Sequence, residues 1–220
     1  MKLVAWTMIG CAIGLAACQS KTPNANQAQF LTQKIYHAPA QSYSFDLGSS
    51  VLRGELDLKQ ACTITGTSLD IVDQLNQQVR LDTINLNNNP QIALKTDSPL
   101  KDVATQVLAL YESKYQATAT TPQGYKAHMG DVAITRLTNN QHSIDVAIFS
   151  RYNYAYILQL NSPILQNSPE NSKQQLQILL KSLQIPGKAL ANATNTLPIS
   201  FDLSNSDSKA RKAWQKTYCS

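Results

Sequence analysis

Alternating apolar and polar residues predict β-strands in two parts of the chain. Two alternating runs within residues 42–59 flank the turn Gly48-Ser49-Ser50 and predict a β-hairpin, and residues 61–65 predict a short third strand. Three longer runs are separated by short polar turns and lie at 131–138, 143–150 and 154–160. Because short turns join neighbouring antiparallel strands, we expect this second group to form a meander.

Helical spacing of apolar residues predicts helices at three places. The clearest covers 98–115 and begins with Ser-Pro, a good N-cap followed by a residue suited to the first turn. A second helix covers 168–183 and is stopped by Pro186-Gly187, and a weaker pattern over 67–79 predicts a short third helix. The order of elements predicts an α+β fold: an antiparallel sheet with two or three packed helices.

The first eighteen residues have a different pattern. Met1-Lys2 carry the positive charge, residues 3–17 are almost wholly apolar, and Cys18 follows two alanines. The apolar run is shorter than the roughly 20 residues that a membrane-spanning helix needs. Residues 1–17 are therefore predicted to be a secretory signal peptide.

Leu15-Ala16-Ala17-Cys18 resembles the lipobox of bacterial lipoproteins. The resemblance implies that Cys18 is acylated and becomes the first residue of the mature protein. A membrane is therefore an expected partner through the acylated Cys18. Several acyl chains on one cysteine give stable anchoring. Gln19, where aspartate would imply retention in the inner membrane, implies an outer-membrane lipoprotein facing the periplasm. The alternative is an ordinary signal peptide cleaved near Ala17.

Composition shifts divide the rest of the chain. Residues 18–41 are polar, contain two prolines, and predict a lipid-anchored flexible tether. Residues 42–186 form the predicted α+β domain. Residues 187–220 form a C-terminal extension, with an alternating strand at 197–203 and a short basic helix.

The α+β region also resembles the PsbP-like domain. The resemblance is carried by the last long strand, Tyr156-Ile157-Leu158-Gln159-Leu160, by the helix end Leu180-Lys181-Ser182-Leu183, and by the opening Tyr43-Ser44-Phe45-Asp46. The Gly-Trp that follows the first strand in that family is missing here. The resemblance implies a PsbP-like sandwich and no particular reaction, because one fold hosts many functions.

Composition narrows the class of protein. The 220 residues are 43% hydrophobic and 15% charged, with a net charge of +5, which excludes collagen, a coiled coil and a polytopic membrane protein. Once Cys11 leaves with the signal peptide and Cys18 takes the lipid, Cys62 and Cys219 remain. In an exported protein this pair predicts a disulfide. A catalytic thiol is the alternative, although no Cys-His motif accompanies either residue.

Motifs for chemistry are sparse. The sequence has no nucleophile elbow and no glycine-rich phosphate loop, and its three histidines are scattered. We therefore predict no catalytic residue, no metal site and no cofactor. Asp70 and Asp73 would share one face of the predicted third helix and could serve a cell-wall or lipid hydrolase. A solvated helix face explains the same pair.

Two groups of residues predict binding. Tyr152, Tyr154 and Tyr156 alternate, so they point to one sheet face and could form the floor of a small-ligand pocket. A core packed under a helix has the same pattern. The tail carries a basic patch with interleaved aromatic residues, a pattern suited to anionic lipid headgroups, lipopolysaccharide phosphates or an acidic partner, although a solvated helix end has the same pattern. Its members are Lys209, Arg211, Lys212 and Lys216.

The sequence as a whole favours a lipid-anchored cell-envelope protein with a non-catalytic binding or assembly role. A small-ligand-binding lipoprotein that uses the tyrosine face is one alternative, and a hydrolase with an unrecognised site is another. Nucleic acid is not an expected partner, because an exported and anchored protein does not meet it.

Overall fold

The fold is rich in β-structure. The computed structural model describes residues 31–32, 34–38, 43–63, 66–86, 98–151 and 154–185. Strands account for 47% of the structure and helices for 25%, with two α-helices in the described part. The prediction of an α+β fold, as an antiparallel sheet with two or three packed helices and specifically as a PsbP-like sandwich, is therefore wrong. Antiparallel β-sheets make up most of the molecule.

Twelve strands and two helices make up the described chain. In chain order the strands are β1 (Leu31–Thr32), β2 (Ile35–His37), β3 (Ser44–Asp46), β4 (Asp57–Thr63), β5 (Gly66–Val72), β6 (Gln78–Asn85), β7 (Thr118–Ala119), β8 (Gln123–Ala127), β9 (Gly130–Thr138), β10 (Ser143–Arg151), β11 (Tyr154–Asn161) and β12 (Leu183–Gln184). Helix α1 covers Leu100–Tyr115 and α2 covers Pro169–Ser182. A single 3₁₀ turn, Pro163–Leu165, lies between β11 and α2.

The strands form two antiparallel sheets. The small sheet has the order β1-β2-β3-β12. The main sheet has the order β4-β5-β6-β11-β10-β9, and both β7 and β8 pair with β9 at its far edge. Two meanders thus meet where β6 pairs with β11, with Leu81 opposite Leu158.

Each face of the main sheet has its own core. On β10, Ala147 and Phe149 point to the face covered by α2 and the small sheet, whereas Val146 and Ile148 point to the face covered by α1. This alternation is the period-two pattern of a strand buried on both sides. The molecule therefore has three layers, with the main sheet in the middle.

The predicted helices over 98–115 and 168–183 and the three strands of the second meander are confirmed. The predicted helix over 67–79 is wrong, because this segment contains β5, a turn and the start of β6. Leu69 and Ile71 are buried on one face, which is the period of a strand.

The N-terminal part of the predicted domain also pairs differently from the expectation. The predicted hairpin over 42–59 does not form: β3 pairs with β2 and β12, and β4 pairs with β5. The small sheet also takes in residues 31–32 and 35–37 of the predicted tether, and Tyr36 is buried within it. The sheet therefore includes residues upstream of 42.

Candidate functional site

Charged and amide side chains gather beside α1, on its face of the main sheet. Asp70 on β5, Arg80 on β6 and Gln159 on β11 lie directly opposite one another across three neighbouring strands. Asp82 is the next residue of β6 on the same face, and Tyr111 and Tyr115 reach the group from α1. Together with Lys114, these residues are called the Asp82 cluster below.

Asp82 is the centre of the cluster and is buried. Arg80 Nε donates to both of its carboxylate oxygens, at 2.9 and 3.0 Å. The Tyr111 hydroxyl donates to Oδ2, and Gln159 Nε2 donates to the same oxygen at 3.0 Å. One carboxylate therefore joins α1, β6 and β11. Buried charges are stable only when they are paired and hydrogen-bonded.

The outer part of the cluster leaves two cationic groups with spare donors. Arg80 Nη1 donates to Asp70 Oδ2 at 2.8 Å, while Arg80 Nη2 takes part in none of the bonds of the cluster. The Lys114 ammonium lies 5.2 Å from the ring centroid of Tyr111 and 5.0 Å from that of Tyr115. Such distances are those of cation–π contacts. No described carboxylate forms an ion pair with Lys114.

The pKa values of the cluster reflect this arrangement. Burial and then the positive charge of Arg80 lower the pKa of Lys114. Burial raises the pKa of Tyr111, and the negative charge of Asp82 and the hydrogen bond to it raise the pKa further. Burial also raises the pKa of Tyr115. Both tyrosines are therefore hydrogen-bond donors at neutral pH, and an anion near Lys114 would relieve the unfavourable environment of its charge.

The sheet beside the cluster is only partly covered. On the α1 face, Ser68, Asp70 and Gln78 are half-buried, whereas Leu69 and Val79 on the opposite face have no exposed surface. The backbone of α1 lies over β7, β9 and β10, toward the opposite edge of the main sheet, and Tyr111 and Tyr115 extend from it to β6 and β11. Within the described residues, the α1 face of β5 and β6 next to Arg80 therefore keeps exposed surface.

Asp70 and Asp73 do not share a helix face. Asp70 lies in β5 and pairs with Arg80, whereas Asp73 begins the β5–β6 turn and is buried. Asp73 accepts four hydrogen bonds, from the backbone N–H groups of Arg53, Leu75 and Gln77 and from the Gln77 side chain. Its carboxylate is therefore a turn anchor, and a paired-carboxylate site does not arise here.

The tyrosines of β11 lie on the face opposite the cluster. Tyr156 is 2% exposed, and its ring is parallel to that of Phe149 with centroids 5.1 Å apart. Tyr154 is half-buried against the same core. Tyr152 lies outside the described residues. A ligand would reach the Tyr156 ring only if this packing opened.

Several predicted sites lie outside the described residues: the signal peptide, Cys18, Cys219, and the basic patch at Lys209, Arg211, Lys212 and Lys216. The backbone of Cys62 lies in β4, and its side chain is also outside the described part. The lipid anchor, the disulfide and the basic patch all stay predictions. Within the described segments no helix has the length and apolar character to cross a bilayer. The same segments contain no group of three or more His, Cys, Asp or Glu side chains that could hold a metal ion.

Sequence reasoning missed most of the Asp82 cluster. Its signal lies in the alternation of β6, where Arg80 and Asp82 share one face while Val79 and Leu81 share the other. Tyr111 and Tyr115 are four residues apart on α1, so they lie on one side of the helix. Reading residues 78–85 as a strand would have revealed the charged pair, but not the partners that tertiary structure supplies.

Comparisons with known proteins assign no function. No protein-family model matches the sequence, and no curated protein is similar to it. A crystal structure of a protein from Bacteroides thetaiotaomicron is similar in part, with a TM-score of 0.40 and 12% sequence identity. That similarity covers 72% of this chain and 50% of the other, so the chain spans half the length of that protein.

Proposed function

We propose that this chain is a lipid-anchored protein of the bacterial cell envelope with a non-catalytic binding role. The anchor is supported by Leu15-Ala16-Ala17-Cys18 at the end of a signal-peptide pattern. The binding role is supported by the Asp82 cluster, which places unused cationic donors beside a partly covered sheet. The partner contributes an acidic group, a carboxylate or a phosphate.

The observation that carries the proposal is the position of Lys114. Its ammonium lies over two tyrosine rings without a carboxylate partner in the described structure, and Arg80 Nη2 is unused in the same cluster. Ammonium and guanidinium groups form short, strong hydrogen bonds to acidic oxygens. Three hydrogen bonds already hold the Arg80 guanidinium, so little of its side-chain entropy is lost on binding.

The other charges of the cluster favour binding over acid–base chemistry. Asp82 accepts from Arg80, Tyr111 and Gln159, and these bonds hold its carboxylate in place. Asp70 accepts from Arg80 and Gln78, at 2.8 and 3.3 Å. Both carboxylates therefore position the cations that meet the partner.

The proposal is tested by photo-cross-linking in intact cells. A photo-reactive amino acid replaces Gln78, at the rim of the cluster, or Lys126, an exposed residue of β8 at the far edge of the sheet. We expect a defined adduct from position 78 and none of the same mass from position 126. Lys114→Met should abolish this adduct, whereas Lys101→Met, a change at an exposed lysine of the same helix, should leave it unchanged.

Two results would contradict the proposal. One is an adduct at position 78 that survives Lys114→Met, because the partner would then not use the cationic group. The other is the absence of any specific adduct at position 78. Mass spectrometry of the same samples tests the anchor separately, since an unmodified Cys18 would contradict the predicted location.

A further inference from the structure

Two loops at one end of the main sheet lie next to each other. The first is the β5–β6 turn, residues 73–77, and the second is the segment 162–168 between β11 and α2. The Ser162 hydroxyl donates to Gln77 Oε1 at 2.8 Å, which joins the two loops directly. We call this pair of loops the loop end.

The base of the loop end is held firmly. Asp73 accepts from the N–H groups of Leu75 and Gln77 at 2.8 and 2.9 Å, and from Arg53 N–H and Gln77 Nε2 at 3.0 Å. Gln77 Nε2 also donates to the Val51 carbonyl at 3.1 Å. Asp73 and Gln77 are both buried. This network fixes the shape of the turn, so the residue at its tip is presented in one position.

The tips of both loops are apolar and exposed. Leu75 is 46% exposed and Ile164 is 61% exposed, the highest values among the large hydrophobic residues of the described part. Each lies two residues from one end of the Ser162–Gln77 hydrogen bond. The other two exposed residues of this kind, Ile35 and Ile178, lie separately on β2 and α2. An apolar pair on fixed loops is typical of an interaction surface, whereas single apolar residues are common on any protein.

Neither loop carries a charged side chain beside its apolar tip. Residues 74–79 and 161–168 contain no Asp, Glu, Lys or Arg. Polar amide and hydroxyl groups can enter the headgroup region of a bilayer, whereas a charge carried into the hydrocarbon would oppose insertion. Two charged residues adjoin the base. Asp73 is satisfied by the four donors described above, and the exposed Arg53, whose backbone bonds to Asp73 and Gln74, has a long side chain that can keep its charge in the headgroup layer.

From these observations we propose that Leu75 and Ile164 insert into the lipid surface to which the protein is anchored, so that the loop end faces the membrane. The inference rests on the lipid anchor of the proposed function. Cys18 and Leu31 are 13 residues apart in sequence (31 − 18), so the linking chain reaches at most about 45 Å. The domain is thus held close to the bilayer, where two apolar side chains suffice to orient it.

The experiment measures fluorescence quenching in vesicles. The lipidated full chain is reconstituted in phosphatidylethanolamine–phosphatidylglycerol vesicles whose acyl chains carry bromine, a contact quencher of tryptophan. All samples carry Trp214→Phe, and each has one added tryptophan: Leu75→Trp, Ile164→Trp, or the control Ile178→Trp. The control residue is also an exposed apolar residue, at 38%, but it lies on α2.

We expect a blue shift and a loss of fluorescence at positions 75 and 164, and neither change at position 178. Adding Leu75→Asp to the Ile164→Trp protein should restore the fluorescence, because a charge at one tip opposes insertion of both. Equal quenching at all three positions would overturn the proposal, as would none at 75 and 164. Docking of the loop end on a protein would give this last result.

Mass spectrometry of Cys18 in the same samples separates this inference from the proposed function. If Cys18 is acylated and positions 75 and 164 are not quenched, the membrane-facing loop end is wrong while the anchor stands. If Cys18 is not acylated, the anchor is wrong, and the protein is added to preformed brominated vesicles. Quenching at the two tips then supports insertion, and its absence overturns it.

Discussion

Two buried carboxylates attach the two helices to opposite faces of the main sheet. Asp82 joins α1 through Tyr111, and Asp145 joins α2 through the Ser172 hydroxyl. Each carboxylate also pairs with an arginine of the sheet: Arg80 for Asp82, and Arg136 for Asp145, with bonds of 2.9 and 2.7 Å from Nε and Nη2. The chain therefore uses the same arrangement twice.

The two arrangements differ in what surrounds the arginine. The side chains of Arg136 and Asp145 are 14% and 6% exposed, and α2 lies over them. The Arg80 side chain is 27% exposed, has a second carboxylate in Asp70, and stands beside a partly covered sheet. The pair under α2 is closed and serves stability, whereas the pair under α1 is open and has donors left for a partner. Under the proposed function, only the ion pair whose arginine stays accessible can meet a partner.

The largest effect is expected from removing the closed carboxylate. Asp145→Ala leaves the Arg136 guanidinium without its partner in a mostly buried place and removes the acceptor of Ser172. We expect it to lower the free energy of unfolding by about 3 kcal/mol, measured by urea denaturation. The control, Asp131→Ala, removes the partner of Lys126 in an exposed pair and should cost less than about 1 kcal/mol. Equal losses in the two variants would contradict the closed character of the Asp145 site.

Removing the open carboxylate should have a smaller effect. Asp82→Ala breaks bonds to Arg80, Tyr111 and Gln159, but Arg80 keeps Asp70 and can reach water. We expect a loss of about 2 kcal/mol in the free energy of unfolding, typical of lost hydrogen bonds to a charged group.

Asp70→Ala is the matched control for the open site, because it leaves the bond between Arg80 and Asp82 in place. We expect this control to cost less than about 1 kcal/mol. If Asp82→Ala lowers the free energy of unfolding more than Asp145→Ala does, the assignment of the Asp82 site as open and the Asp145 site as closed is wrong.

The regular elements of the fold could be predicted from the sequence. The strands of the second meander and both helices have regular patterns bounded by turn or cap residues, and they are where the sequence predicts them. Over residues 67–79 the spacing of Leu69, Val72 and Leu75 matches the spacing of apolar residues in a helix. In the fold, Leu75 belongs to a turn fixed by Asp73, and the buried residue next to Leu69 on its face is Ile71. Local spacing was therefore misleading because a buried side-chain network defines the end of this strand.

The Asp82 cluster lay beyond sequence reasoning for a different reason. The bond between Gln159 and Asp82 joins residues 77 positions apart, and that between Tyr111 and Asp82 joins residues 29 apart. These contacts exist because β11 pairs with β6 and because Tyr111 extends from α1 to the same face. Periodicity identifies single elements and their buried faces, whereas strand order decides which side chains meet. The resemblance to a lipobox is a local pattern, so the lipid anchor is a prediction that requires no knowledge of the fold.

The smallest effect is expected from the Tyr111 hydroxyl. Tyr111→Phe keeps the ring of the helix contact but removes one donor to Asp82, so we expect a loss of about 1 kcal/mol at neutral pH. Burial raises the pKa of Tyr111 above its ordinary value of 10.0. In the native protein the hydroxyl therefore keeps its proton above pH 10, while the unfolded chain releases it. Its stabilising contribution is complete below pH 10 and is lost as the pH rises further.

This pH dependence sharpens the last prediction, because the phenylalanine variant has no proton to release at position 111. The difference in unfolding free energy between the two proteins should be largest at pH 7 to 9 and should shrink above pH 10. The lowered pKa of Lys114 acts in the opposite direction in both proteins, since folding disfavours its charged form, and so it cancels in the difference. Urea denaturation at pH 7, 9 and 10.5 measures the effect. A difference that stays constant across this range would show that the Tyr111 hydroxyl is not held in a buried bond to Asp82, and Tyr115 would then be the only link from α1 to the described residues of the open site.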